Sequence, residues 1–152
     1  MSSEYSSNHA HITGEFGELL VLYWLSKNGY ESVHAQHVGI DIIASKNGKR
    51  LGISVKSRSR KEGKLDFSLT MNDVDNQMMK VKDACLHFDC EPYFAFVVDQ
   101  IDTITVVVTP LSVIETYYPG SSKSSRSWNI LKLSKDGRTS MFEIDWKTKG
   151  TI

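Results

Sequence analysis

One stretch of the chain, "GIDIIASKNGKRLGISVKSRSR" at residues 39–60, gathers the side chains best suited to chemistry. Asp41 opens an apolar run, an Asn-Gly pair follows, and Lys56, Arg58 and Arg60 then stand at alternate positions. Side chains alternate faces along a strand, so Ser54, Lys56, Arg58 and Arg60 share one side and Ile53 and Val55 the other. A hairpin through Asn47 and Gly48 can bring Asp41 near Lys56, and a helix packed on that side can add Glu18 or Glu15. One or two carboxylates, an amine and a trail of cations suit phosphodiester hydrolysis. Carboxylate oxygens hold a hard cation such as Mg²⁺ or Mn²⁺, which keeps several of its waters. Such an ion polarises a phosphoryl oxygen and helps generate hydroxide. Lys56 would orient the attacking water or offset charge on the phosphorane. Arg58, Arg60, Lys61 and Lys64 would contact phosphates without reading sequence.

The elements that must position these residues follow from periodicity and punctuation. Residues 1–11 are polar and unpatterned and are expected to form a flexible tail ahead of a single domain at 12–152. Thr13 offers a helix N-cap, Phe16, Leu19, Leu20, Tyr23 and Trp24 recur at helical spacing, and Gly29 ends the segment. Glu15 and Glu18 flank that stripe. A strand is expected at 30–33, a loop at 34–39, two strands at 40–45 and 50–59 joined by the Asn-Gly turn, and an extended segment at 64–70. Asn72 or Asp73 opens a second helix to about His87, with Val74, Met78, Val81, Ala84, Cys85 and Phe88 inward. The apolar runs "YFAFVVD" and "TITVVVTP" follow, the first able to join the sheet as a crossover strand. "PLSVIETYY" reads as a short helix, "GSSKSSRS" as a loop, and "WNILKL" and "MFEIDW" as late edge strands.

This ordered set resembles the PD-(D/E)xK nuclease superfamily, the restriction-endonuclease-like fold, and especially its Holliday-junction-resolvase-like members. The likeness rests on Gly17-Glu18 in the first helix, Gly29-Tyr30 at its end, Gly39, Asp41 and Ala44 in a "GxDhhA" strand, and Ser54-Val55-Lys56 where acid-x-Lys is usual. It covers roughly the first two-thirds of the chain. It implies an α/β fold with an αβββαβ core, a central mixed sheet flanked by helices. It also implies a metal-dependent endonuclease acting on DNA, with Glu18, Asp41 and Lys56 as catalytic residues. Nucleases of this kind often pair to cut two strands, which implies a homodimer.

Ser54 is the departure, because a hydroxyl is a poorer ligand for Mg²⁺ than a carboxylate. Three outcomes are open. Glu18 or Glu15 reaches the metal with Asp41 and the Val55 carbonyl; Ser54 binds through a water; or the site is silent and the domain binds nucleic acid or another protein. Plainer readings stand beside these. Asp41 and Lys56 could be a cross-strand ion pair, Glu15 a first-turn acid favoured by the helix dipole, and the 58–64 cations a solvated strand end.

The remaining features say less. His34 and His37, and His9 with His11, lack the helical register and third ligand of a zinc site and read as solvated histidines, although His37 lies just before the Asp41 strand. Trp128, Trp146, Tyr117 and Tyr118 could stack unpaired bases but read first as packing aromatics. Lys80 and Lys82 read as outward, whereas Gln77 is open between site and solvent. Net charge is zero, so a polyanion surface must come from local clustering. Cys85 and Cys90 show no metal or disulfide pattern and read as free thiols in a reducing compartment. Without a membrane-spanning run or a signal peptide, a cytoplasmic location with no membrane partner is expected.

Overall fold

The computed structural model describes residues 5–61, 66–119 and 125–145, with side chains described from 127 onward in the last stretch. In chain order the elements are α1 (His9–Lys27), β1 (Glu31–His37), β2 (Ile40–Lys46), β3 (Lys49–Ser59), β4 (Ser68–Asn72), α2 (Val74–Phe88), β5 (Glu91–Asp99), β6 (Thr103–Pro110), α3 (Leu111–Tyr117), β7 (Ser125–Asn129), α4 (Ile130–Ser134) and β8 (Ser140–Asp145). Six strands form one mixed sheet in the order β1-β2-β3-β5-β6-β8, and β4 and β7 make a separate ribbon. The β3–β5 pair is parallel, as a crossover through α2 requires; the other pairs are antiparallel. The expected α/β class and αβββαβ order are therefore present.

The hairpin forms where the sequence asks for it. Asn47 and Gly48 both have positive φ, 51° and 78°, the pattern of a type I′ turn, and Lys46 pairs with Lys49 across it.

Two apolar layers hold the sheet. On one face Val21 and Leu25 of α1 meet Ile42, Ala44, Leu51, Ile53, Ala95, Val97 and Val106. On the other, Val74, Val81 and Ala84 of α2 join Phe94, Phe96 and Val98, closed over by Leu69, Met71 and Trp128 from the ribbon. Trp128 is fully buried and stands edge-on to Phe94 and Phe96, at ring separations of 5.6 and 6.0 Å. It is a packing aromatic, in the geometry that favours such pairs.

Several boundaries differ from the expectation. Helix α1 starts at His9, so residues 9–11 are helical rather than tail, and Thr13 donates its hydroxyl back to the His9 carbonyl at 2.7 Å from within the helix. Tyr5 and His9 explain the extension, since they bond the Arg60 carbonyl and the Ser59 hydroxyl at the end of β3. The inward side of α1 is Gly17, Val21 and Leu25, while Phe16, Leu19 and Tyr23 are exposed. A Cβ on Gly17 would overlap the Ser57 hydroxyl, so the smallest side chain marks the closest approach and sets the rotation.

Strand β1 continues to His37 past an irregularity between His34 and His37 that places Gln36 at φ 48°. "WNILKL" turns helical after Asn129, whose side chain accepts from the Leu131 and Lys132 amides as an N-cap. Ser125 and Arg126, expected in a loop, begin β7. Phe88 is partly exposed against His37 rather than inward. Among the described residues, no helix is long and apolar enough to cross a membrane.

Candidate active site

Antiparallel pairing of β2 and β3 runs from the turn to Ile42↔Ile53 and then stops. Beyond that point, among the described residues, β3 pairs only with β5, through Ser54↔Phe94, Lys56↔Phe96 and Arg58↔Val98. Asp41 sits where β2 leaves the ladder, and its Oδ2 accepts the Val55 amide hydrogen bond at 2.7 Å. The carboxylate thereby takes a backbone donor that a neighbouring strand would otherwise satisfy.

Gly39 positions this segment from the other side. Its φ is +97°, and a Cβ there would overlap the Lys80 carbonyl of α2. Only glycine accepts both the left-handed backbone and the close pass over the helix.

Two side chains act on the Asp41 carboxylate. Glu18 reaches it from α1 closely enough to act on it by charge and by side-chain contact. Lys56 acts on it by charge from β3. Burial is the largest influence and raises the Asp41 pKa; the Val55 amide lowers it, Glu18 raises it, Lys56 lowers it, and the outcome is about 6 instead of 3.8. Burial likewise lowers the Lys56 pKa, partly offset by the Asp41 charge. The Lys56 Nζ donates to Gln77 Oε1 on α2 at 3.0 Å, which settles Gln77 as facing the site.

One element of the expected arrangement is corrected. Helix α1 does not pack on the Lys56 face: it covers the Ile53 face, as its core contacts and the Gly17–Ser57 approach establish. Glu18 of that helix acts on Asp41 at the point where β2 and β3 part.

The other candidates are distributed as follows. Ser54 is buried beside Phe94. Glu15 is exposed and pairs with His11 at 3.3 Å, away from the cluster. Arg58 donates to the Ser57 carbonyl at 2.9 Å and the Thr70 carbonyl at 3.4 Å, and burial followed by the Arg60 charge lowers its pKa. Arg60 holds the Asp66 and Ser68 carbonyls at 3.2 and 2.6 Å and so ties the β4 ribbon to β3. Lys61 is exposed, its ammonium 5.7 Å from the Tyr5 ring centre. Lys64 and Trp146 lie outside the described residues. Tyr117 and Tyr118 flank the Lys132 ammonium at 5.9 and 5.3 Å. Lys80 and Lys82 are exposed as expected; Lys80 adds positive charge near Lys56, and Lys82 pairs with Glu115 at 3.2 Å. Burial pushes the Cys85 thiol up to about 12, which suits an inert core thiol.

The residue that sequence reasoning passed over is His34. It is not a solvated loop histidine: it lies in β1 opposite Ile42, and its Nε2 is 2.6 Å from Glu18 Oε2. The signal available was register, because a β1 that continues past residue 33 places His34 beside the Asp41 strand. His37 instead donates Nδ1–H to the Val38 carbonyl and packs edge-on against Phe88.

The donor set suits a hard divalent ion in one respect. Two carboxylates face each other, one of them held partly protonated near neutrality, and a cation relieves that repulsion. Two carboxylates are as many side-chain ligands as Mg²⁺, which keeps most of its waters, commonly takes. Among the described residues, no cluster of three or more His, Cys, Asp or Glu side chains is gathered to hold a metal.

No protein-family model and no curated protein sequence matches the chain. Among solved structures it is similar to Hjc, a Holliday junction resolvase of Archaeoglobus fulgidus, with TM-score 0.56 and 17% identity over 76% of this chain and 83% of that one. It is also similar to a bacterial homing endonuclease, with TM-score 0.47 and 14% identity over 81% of this chain and 78% of that one. The likeness to the resolvase is one of fold, an α/β architecture with a mixed central sheet flanked by helices.

Proposed function

We propose that this chain is a metal-dependent endonuclease that hydrolyses DNA phosphodiester bonds, with branched or damaged DNA as the substrates to test first. The observation that carries the reading is that Glu18 and Lys56 both act on the Asp41 carboxylate where β2 and β3 part. The resolvase-like fold supports it. In this reading Glu18 and Asp41, with the Val55 carbonyl, hold Mg²⁺ or Mn²⁺. Bound there, the ion supplies electrophilic polarisation of a phosphoryl oxygen and acidifies a water.

The chain's own groups do the rest. The Val55 amide fixes the Asp41 carboxylate, so one of its oxygens is aimed while the other is free to bind. Gln77 holds the Lys56 ammonium against α2, where it can orient the attacking water and neutralise charge gathering on the phosphorus oxygens. Half-burial of Lys56 strengthens that interaction by reducing solvent screening. Lys61 and Lys80 are exposed cations suited to backbone phosphates, whereas Arg60 is committed to the carbonyls of the ribbon.

The test is incubation with plasmid, four-way junction and single-stranded DNA in the presence of Mg²⁺ or Mn²⁺. Cleavage lost in Asp41→Ala and Lys56→Ala supports the assignment. Cleavage that persists in both, or is absent throughout, refutes it.

Ser54 favours a second reading. A buried hydroxyl stands where an acid would complete the ligand set, and a catalytically silent domain that binds nucleic acid follows from it. That domain would bind DNA with an affinity that falls steeply with salt and cleave nothing. Failure to bind DNA even at low salt points instead to a protein partner.

A further inference from the structure

We infer that His34 is a positioning residue for the Glu18 carboxylate, fixing it toward Asp41 so that the two acids form one cation site. The inference deepens the proposed function and rests on that reading of Glu18 and Asp41 as the ion's ligands. It starts from a conflict. Two carboxylates turned toward each other repel, and Glu18 is a long side chain on a partly open helix surface, free to swing into water unless something holds it. A glutamate retains ~1.5–2 kcal/mol of rotamer entropy when free, which favours swinging away.

His34 supplies the restraint. Its Nε2 lies 2.6 Å from Glu18 Oε2, and against an ionised carboxylate the ring nitrogen is the donor. The ring is placed by the sheet rather than by chance. His34 pairs with Ile42, the neighbour of Asp41, on the face that α1 covers. Its side chain is 30% exposed and that of Glu18 is 24% exposed, so the bond is partly shielded from water. The irregularity in β1 begins immediately after His34, and such bulges re-aim side chains at strand edges.

His34 is not itself gathered into a ligand triad with the two acids, since no cluster of three metal-binding side chains is present among the described residues. Its contribution therefore passes through Glu18, as an outer hydrogen bond that orients a ligand.

The experiment is Mn²⁺ titration of the full chain, followed by the loss of the free-ion paramagnetic resonance signal, on the wild type, His34→Ala, His34→Gln, Glu18→Ala and the Glu18→Ala/His34→Ala double variant. Circular dichroism confirms folding of each. Loss of an outer-shell partner costs about 10- to 100-fold in metal affinity, and that is the effect expected of His34→Ala. His34→Gln, which keeps a donor, recovers most of the loss. In the Glu18→Ala background, removing His34 has no further effect. Wild-type affinity in His34→Ala overturns the inference alone, as does an undiminished loss in the Glu18→Ala background, which would make His34 a direct ligand. A wild type that binds no Mn²⁺ overturns the metal-site reading first and this inference with it.

Discussion

Replacing Asp41 by asparagine tests the electrostatics of the site without requiring any substrate. The amide oxygen of the new side chain can still accept the Val55 amide, so the fold-holding bond is kept while the charge is removed. In the folded protein Asp41 releases its proton at about 6 rather than 3.8. Taken at face value this penalises the ionised form by roughly 3 kcal/mol. Because the carboxyl is still partly open to water, about 1–2 kcal/mol is the reasonable expectation.

The sign follows from the direction of the shift. A raised carboxyl favours the folded state fully below pH 3.8, and that advantage is lost as pH climbs through about 6. Asp41→Asn should therefore stabilise the metal-free protein by about 1–2 kcal/mol at pH 8 and by almost nothing at pH 4. Urea unfolding followed by circular dichroism in EDTA at the two pH values measures this. Divalent cation should invert the order, since a ligand at 100 times its Kd stabilises by ~2.7 kcal/mol and only the wild type keeps both carboxylates. An Asp41→Asn protein that is less stable than wild type at pH 8 in EDTA, or a gain that is the same at both pH values, would refute the account of the acid pair.

Further outcomes can be measured. Lys56→Met should lower cleavage by ~10²–10³-fold with little change in Mn²⁺ affinity, and Gln77→Leu, which frees the Lys56 ammonium, should cost about 10- to 100-fold in rate; comparable losses in metal affinity would place Lys56 in the wrong role. Gly17→Ala should destabilise by ~1–3 kcal/mol through overlap with Ser57, with part of the loss restored by Ser57→Ala; thermal unfolding reads both. Lys61→Ala should reduce the salt dependence of DNA binding by about one phosphate contact, whereas Arg60→Ala should chiefly lower thermal stability by leaving the Asp66 and Ser68 carbonyls without their donor.

The parts of the fold that sequence patterning reached are those fixed locally. Asn47-Gly48 demands a positive-φ turn wherever it lies, and alternation along β3 then decides that Ser54, Lys56 and Arg58 share a face. The rotation of α1 was not accessible in this way, because its apolar residues surround much of the helix and a glycine contact, not the largest side chains, decides which of them meet the sheet. The same long-range packing hid the His34–Glu18 contact, which depends on where β1 ends and on a helix crossing above it. Arg58 and Arg60 look like a phosphate ladder in one dimension. Each also reaches a carbonyl of β4, Thr70 for Arg58 and Ser68 for Arg60, brought near by the tertiary fold.

The β4–β7 ribbon and its tryptophan have a consequence for how the molecule comes into being. Glu18, His34, Asp41, Lys56 and Gln77 all lie at or before position 77, yet the plug over Phe94 and Phe96 is Trp128. A chain still on the ribosome and ending before that residue would carry all the chemistry with one aromatic wall of its interior open to water. Emerging domains in that condition attract chaperones and aggregate. For this chain, then, a segment made later closes the structure around groups that were made first.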